Sequence, residues 1–220
     1  MTEGRRKRVC VLISGRGSNM EALIAAARRP ECPYEIVGVI SNRPDAGGLE
    51  TAAREGIATT VIDHRKFDSR EEFEEVLHET LLVFAADLVA CAGFMRIMTE
   101  SFTSRWEGRM LNIHPSLLPL YRGLRTHERA LEDGVRIHGC TVHFVTADLD
   151  GGPIIIQAAV PVLPDDTPDT LAARVLRQEH RIFPRAMELV ASGRVRLENG
   201  RTAGDWTADP EAAIVSPALD

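Results

Sequence analysis

The sequence carries no excess of positive charge. Its 26 Lys and Arg residues stand against 32 Asp and Glu, a net charge of −6 over 220 residues. Proteins that work on nucleic acid need a basic footprint to neutralise phosphates, so no nucleic-acid partner is expected. The local exception, Arg5-Arg6-Lys7-Arg8, lies at the N-terminus and reads as a solvated tail. Long apolar runs are missing as well. The stretch Val9–Ile13 stops at Ser14-Gly15-Arg16, short of the roughly 7–15 residues of a signal-peptide core. Nothing approaches the about 20 apolar residues of a membrane span. No membrane partner and a cytoplasmic location are therefore expected. The four cysteines, Cys10, Cys32, Cys91 and Cys140, are scattered without a CxxC pair, which argues against a disulfide framework and against a zinc site. No internal repeat is present.

What remains is an ordinary globular composition, 44% hydrophobic and 26% charged. The length suits one large α/β domain or two small ones. Short β-branched runs alternate with helical patterns: Val9–Ile13 then Ser18–Arg29, Ile36–Ile40 then Gly48–Glu55, Thr59–Ile62 then Asp68–Leu82, then Leu88–Ala92. That alternation predicts a doubly wound α/β fold on a mostly parallel sheet, Rossmann-like and a single domain. Capping-box spacing marks two helix starts, Ser18 with Glu21 and Asp68 with Glu71. Further on, strands are expected at Met110–Ile113, Thr141–Val145 and Ile154–Val160, and a helix over Pro168–Ala191 with Thr167 as its cap. The domain is expected to span residues 1–200, with 201–220 a loose polar tail.

Three segments could carry chemistry. Ser14-Gly15-Arg16-Gly17-Ser18-Asn19 sits where the first strand hands over to the first helix. Glycine there would let an anion approach unpaired backbone amides at the positive end of the helix dipole, although the segment also reads as a plain tight turn. It lacks the third glycine of a dinucleotide fingerprint, Met20 standing in its place, and no Walker lysine follows. In Asn112-Ile113-His114-Pro115-Ser116-Leu117-Leu118-Pro119, residues i and i+2 of a strand share a face, so Asn112 and His114 would project together. An amide beside an imidazole can stabilise an oxyanion and move a proton, while a lone histidine can equally be structural. Asp148-Leu149-Asp150-Gly151-Gly152-Pro153 reads as an Asp-Gly turn. Alternatively, one of its carboxylates could orient His114, and a divalent metal lacks further ligands with suitable spacing.

The blocks VLISGRGSN, FDSRE, AGFMRIM, GRMLNIHPSLLP, VHFVTADLDGGPII and RQEH, taken in this order over residues 8 to 198, resemble the phosphoribosylglycinamide formyltransferase family of folate-dependent enzymes in purine biosynthesis. The resemblance implies formyl transfer from 10-formyltetrahydrofolate to the amine of phosphoribosylglycinamide, without a metal. Asn112, His114 and Asp150 would be catalytic. Gly17, Ser18 and Asn19 would hold the acceptor's phosphate with Arg109 as a helper, and Glu179 would meet its glycinamide portion. Arg70, the segment Met95, Arg96, Ile97 and Met98, and the loop Ala147, Asp148, Leu149 and Asp150 would line the folate site together with Asn112. A homodimer is compatible with this reading.

The chain departs from the family's wording at Arg122, where proline is familiar, and at Arg125, where histidine is frequent. The 120–126 loop therefore carries the family's roles least securely, and His127 reads as structural or substrate-adjacent. A formyltetrahydrofolate hydrolase would use the same trio to deliver water but usually carries an N-terminal regulatory domain. Methionyl-tRNA formyltransferases share the Arg-Gly pair after SLLP but need a C-terminal tRNA-binding domain. A non-catalytic phosphosugar or folate sensor would tolerate loss of the trio, whose three members are all present here.

Overall fold

The structure is a computed structural model that describes residues 5–205 and residue 216. β1 (Lys7–Ile13) leads into α1 (Ser18–Ala27), β2 (Tyr34–Ser41) into α2 (Gly47–Arg54), and β3 (Thr59–Val61) into α3 (Arg70–Val83). β4 (Leu88–Cys91), α4 (Glu100–Arg105), β5 (Met110–His114) and α5 (Thr126–Glu132) follow. The chain then forms β6 (Ile137–Phe144), β7 (Ile154–Pro161), the long α6 (Pro168–Ala191) and a hairpin of β8 (Val195–Glu198) with β9 (Arg201–Gly204).

The main sheet has the order β3-β2-β1-β4-β5-β6-β7. β3 to β5 run parallel, and β6 and β7 are antiparallel additions. From β1 the chain winds outward to β2 and β3, then returns to place β4 on β1's other side. The switch point, where open α/β sheets gather their ligands beyond the carboxyl strand ends, thus lies between β1 and β4. β1 explains why both faces are covered. Its Val9, Val11 and Ile13 join a core with Met20 and Leu23 of α1 and Phe183 and Met187 of α6. Cys10 and Leu12 turn the other way, into a core with Phe73, Leu77 and Leu81 of α3 and Phe102 of α4. This is the period-two alternation of a strand buried on both sides.

Several local expectations shift. Ser18 is the first helical residue and not the cap. Gly17, at φ 79°, occupies the cap position with no side-chain cap bond, so no Ser18–Glu21 box forms. At α3 the cap is Ser69, which accepts from the Glu72 amide at 3.1 Å. Asp68 donates its own amide to Glu72 Oε2 at 3.2 Å, a box displaced by one residue from the expected pair. Thr167 does cap α6 in a full capping box with Thr170, with Pro168 in the first turn. α4 and α5 were not foreseen, being six and seven residues long, too short for a periodic apolar stripe.

The basic N-terminal run is no solvated tail over its described part. Lys7 and Arg8 open β1, the Arg8 amide donates to Asp87 Oδ2 at 2.8 Å, and Arg5 pairs with the same carboxylate at 3.0 Å. Residues 201–204 are likewise not loose. They form β9, and the Thr202 hydroxyl donates to the Ile154 carbonyl at 2.7 Å. The remainder of the expected tail, Asp205 and Ser216 aside, lies outside the described residues. Among the described residues, no helix is long and apolar enough to cross a membrane.

Because Phe183 of α6 is fully buried in the core that also holds α1 and one face of β1, Phe183→Ala should cost about 3–5 kcal/mol of stability. Val83→Ala, at the exposed end of α3, should stay within about 0.5 kcal/mol. Urea unfolding of both variants checks the pair, and equal losses would contradict the assigned core.

Candidate active site

The carboxyl ends of β4 and β5 open onto a pocket lined by Cys91, Phe94, Asn112, His143, Leu149 and Asp150, among others. β5 supplies the first polar pair. Ile113 is buried in the core while Asn112 and His114 share the opposite face, as strand alternation requires. Asp150 arrives from the β6–β7 loop. Its Oδ2 lies 3.4 Å from His114 Nδ1, and both side chains are largely buried. The same oxygen accepts the Gly123 amide at 2.9 Å. The other nitrogen of His114, Nε2, lies 2.9 Å from the Tyr121 carbonyl. Both ring nitrogens thus face oxygen acceptors.

Asp150 adopts φ 49°, in the left-handed region that Asp tolerates better than most residues. The glycines after it have a steric reason. A Cβ on Gly152 would lie 1.8 Å from the Phe144 carbonyl oxygen, so only glycine lets the loop fold back onto β6 and carry Asp150 to His114.

His143 was not singled out by the sequence. β5 and β6 pair antiparallel with Asn112 opposite His143, and Asn112 Nδ2 lies 3.2 Å from His143 Nε2. His143 Nδ1 lies 2.8 Å from the Phe144 carbonyl, which can only accept. The ring proton therefore sits on Nδ1. Burial pulls the His143 pKa down against the opposing pulls of that carbonyl and Asp150, so Nε2 keeps its lone pair and accepts from the Asn112 amide. This bond assigns the amide's orientation and leaves its second N–H free for a ligand in the pocket. The available signal was the period-two spacing of Thr141 and His143 on a strand; which residue of β5 it would face was not in the sequence.

The expected folate-site residues divide. Arg96, Ile97, Met98, Asn112, Ala147, Leu149 and Asp150 line the pocket. Arg96 Nε is buried without a hydrogen-bond partner among the described residues. Met95 and Asp148 stand at the rim: Met95 is exposed, and Asp148 is ion-paired with Arg122 at 2.8 Å. Arg70, exposed at the start of α3, does not line the pocket. It is one helical turn from Phe73, whose ring stacks on the pocket residue Phe94. The 120–126 loop is tied into the site by the Tyr121 carbonyl, the Gly123 amide and the Arg122 ion pair. His127 packs edge-on against His138, with ring centroids 5.3 Å apart, and burial lowers its pKa.

The turn after β1 is a second polar locus. Gly17 takes a positive φ at the start of α1, and Ser18 is partly exposed. The Asn19 Nδ2 donates to Glu179 Oε2 at 2.6 Å in a buried contact, which commits one of its two N–H groups. Glu179 interrupts the apolar stripe Leu171, Val175, Ile182, Ala186 of α6. Burial raises its pKa, while the Asn19 hydrogen bond pulls the other way. Arg109 is a correction. It precedes β5 at the amino end of the sheet, its guanidinium lies 4.6 Å from the Trp106 ring centroid, and it lines a cleft with Lys7 and Leu88. β1 and β5 run in the same direction, so Arg109 and the turn after β1 stand at opposite ends of the sheet. Among the described residues, no group of three or more His, Cys, Asp or Glu is placed to hold a metal ion.

Fold and pocket define a doubly wound α/β protein whose polar groups converge beyond the carboxyl ends of its central strands. A family model described as formyl transferase matches residues 7–187, and the chain belongs to that family. It is 49% identical over 189 residues to the phosphoribosylglycinamide formyltransferase of Escherichia coli, covering 86% of this chain and 89% of that protein. It is 52% identical over 200 residues to the human trifunctional purine biosynthetic protein adenosine-3, covering 90% of this chain but only 20% of that protein. The chain thus spans about a fifth of the trifunctional relatives' length. Among solved structures, glycinamide ribonucleotide transformylase 1 from Symbiobacterium toebii superimposes with a TM-score of 0.88 at 46% identity, over 91% of this chain and 95% of that one.

Glu179 generates a signed pH prediction. With its pKa raised by burial, the native chain keeps a proton that the unfolded chain has already lost, so this group's contribution to stability falls as pH rises from the unfolded value through the folded one. Glu179→Gln removes that dependence. The variant's stability relative to the parent should therefore be higher at about pH 8 than at about pH 4. Urea unfolding at both pH values measures it, and a difference independent of pH would contradict the burial argument.

Proposed function

We propose that the chain transfers the formyl group of 10-formyltetrahydrofolate to the amine of phosphoribosylglycinamide, a step of purine biosynthesis. The single observation that carries this reading is the convergence of Asn112, His114 and Asp150 at the edge of a pocket beyond β5. The relatives named above support the choice of substrates. The pocket takes the folate, with Arg96, Ile97, Met98, Ala147 and Leu149 against it and Arg70, Met95 and Asp148 at its approach. The backbone amides of Gly17, Ser18 and Asn19 take the acceptor's phosphate, and Glu179 meets the glycinamide end.

The acceptor amine attacks the formyl carbon, and the carbonyl oxygen becomes an oxyanion. Asn112, fixed by His143, donates its free N–H to that oxygen, where a preorganised donor acts most strongly on charge as it develops. His114, held by Asp150, stabilises the same charge and assists delivery of a proton to the departing folate nitrogen. The amine loses a proton as the C–N bond to folate breaks, so the products are a formamide and tetrahydrofolate. The reading needs no metal and places the reaction in the cytoplasm, with small molecules as the partners. A homodimer is compatible with it and can be tested by sedimentation.

Asn112→Ala, His114→Ala and Asp150→Asn should each lower kcat by about 10²–10³ while changing KM little, since the interactions they remove are made mainly in the transition state. Steady-state kinetics decides, and near-normal kcat in His114→Ala would sink the mechanism. Exhaustive chelation should leave the parent's rate unchanged; loss of activity restored by a divalent ion would turn suspicion to Asp148 and Asp150.

The turn after β1 separates transfer from hydrolysis, because water needs no phosphate grip. Hydrogen bonds to a charged group contribute about 1.5–3 kcal/mol each, so removing the acceptor's phosphate should weaken its binding at least roughly a hundredfold. Formyl transfer to the phosphorylated acceptor and to its dephosphorylated nucleoside is to be compared with folate hydrolysis in the absence of both. Equal rates with the two acceptors would remove the phosphate assignment, and hydrolysis faster than either would favour a hydrolase.

A further inference from the structure

Ser14 belongs to neither substrate locus, yet it joins them. It follows β1 and directly precedes the Gly15–Ser18 turn, and it is buried, 7% exposed. Its amide donates to the Gly93 carbonyl at 3.1 Å. Its hydroxyl accepts the Met95 amide at 2.8 Å and donates to Asn42 Oδ1 at 2.6 Å. Asn42 is itself buried, 2% exposed, with Nδ2 3.1 Å from His64 Nδ1. The hydroxyl is thus donor and acceptor in one directed chain from Met95 through Ser14 to Asn42, the kind of chain in which each bond polarises the next.

Within the segment that Ser14 grips, Met98 packs against the core that holds Phe73 and Phe94. Met95 and Ile97 are exposed side chains, 67% and 53% accessible. The segment is tethered by hydrogen bonds at its two ends: the Met95 amide to Ser14, and the Thr99 amide to Glu74 Oε1 at 2.8 Å. Between those tethers lie Arg96, Ile97 and Met98, which line the pocket. On the other side of Ser14, the Gly15 carbonyl accepts the Gly48 amide at 3.1 Å, so the turn is held from α2 while its amides remain available to an anion.

We propose that Ser14 is a positioning residue that couples the two substrate sites: an anion gathered by the 15–18 turn fixes Ser14, and Ser14 fixes the Met95–Met98 segment against the bound donor. The proposal rests on the reading of those two loci as acceptor and donor sites. Its consequence is reciprocal, because a coupling between binding equilibria must act equally in both directions.

The test is calorimetric and involves no turnover. Tetrahydrofolate is titrated into the parent protein with and without saturating phosphoribosylglycinamide. The folate Kd should fall at least about fivefold when the acceptor is bound, the lower end of ordinary coupling. In Ser14→Ala the ratio of the two Kd values should drop to about one, and Ser14→Thr, which keeps the hydroxyl, should restore it. Glu74→Gln weakens the other tether, which is not joined to the turn. It should raise both folate Kd values while leaving their ratio as in the parent. A thermal scan establishes that each variant is folded, and a merely structural Ser14 would lower the melting temperature without changing the ratio. A parent ratio of one, or a parent-like ratio in Ser14→Ala, overturns the coupling while leaving the substrate assignment standing. Failure of the parent to bind either small molecule overturns the assignment and the coupling with it.

Discussion

The carboxylate of Asp150 is the constraint on which the rest of the site depends. One oxygen faces His114 Nδ1 at 3.4 Å and accepts the Gly123 amide at 2.9 Å, and the other lies 3.8 Å from His143 Nε2. Three segments distant in sequence, the end of β5, the loop after it and the end of β6, are thereby referred to one group. A charge so nearly removed from water is costly unless hydrogen bonds and an opposite charge surround it. That condition fixes its neighbours as much as they fix it. The left-handed backbone of Asp150 belongs to the same arrangement: strain of this kind persists only where surrounding contacts over-determine it, and here they come from two strands and a loop.

The sheet explains why such contacts can be assembled at all. β4 and β5 end side by side, Cys91 opposite Asn112, and β6 returns antiparallel so that His143 faces Asn112. Phe144 at the end of β6 lies opposite Leu111, on the amino side of Asn112, and the loop that follows folds back, its Pro153 carbonyl accepting the Phe144 amide at 3.0 Å, to carry Asp150 to His114. Two neighbouring strands, β5 and β6, thus supply the pair Asn112 and His143 and the loop that closes over them.

Much of this was legible in the sequence, and the reasons are specific. The parallel half was readable because its strands are short β-branched runs separated by helical patterns. Asn112 and His114 were readable as a pair because strand alternation is a local rule. Glu179 came from the family resemblance, although a carboxylate on an otherwise apolar helical stripe was itself a physical sign. His143 was missed because its partner is set by the register of two strands, which no local rule contains. Arg109 came from the family resemblance as a helper at the phosphate, and the resemblance carries no information on which end of the sheet it occupies. The strand between Arg109 and Asn112 runs from one end of the sheet toward the other. The displaced caps at Gly17 and Ser69 have a different cause: more than one residue able to cap stands near each start, and choosing among them depends on where the preceding strand or loop releases the chain.

The two polar loci differ in how they use burial, and the difference follows from what each is suited to hold. The turn after β1 offers backbone amides at a glycine with positive φ, groups whose partial charges are fixed by the helix and do not titrate. Its one polar side chain pointing inward, Asn19, is committed to Glu179. The pocket beyond β5 instead uses side chains whose proton positions are set by neighbours: His143 by the Phe144 carbonyl, Asn112 by His143, His114 by the Tyr121 carbonyl and Asp150. A site that only grips an anion gains from fixed dipoles, whereas one that must answer a change of charge during a reaction needs groups able to hold or release a proton. Glu179 falls between the two: it is buried enough to be raised in pKa, yet it is tied by a single amide to the turn that would hold the phosphate. Under the proposed reading, Glu179, which would meet the amine end of the acceptor, is held by the side chain of Asn19, the residue whose backbone would help to hold the end that is an anion.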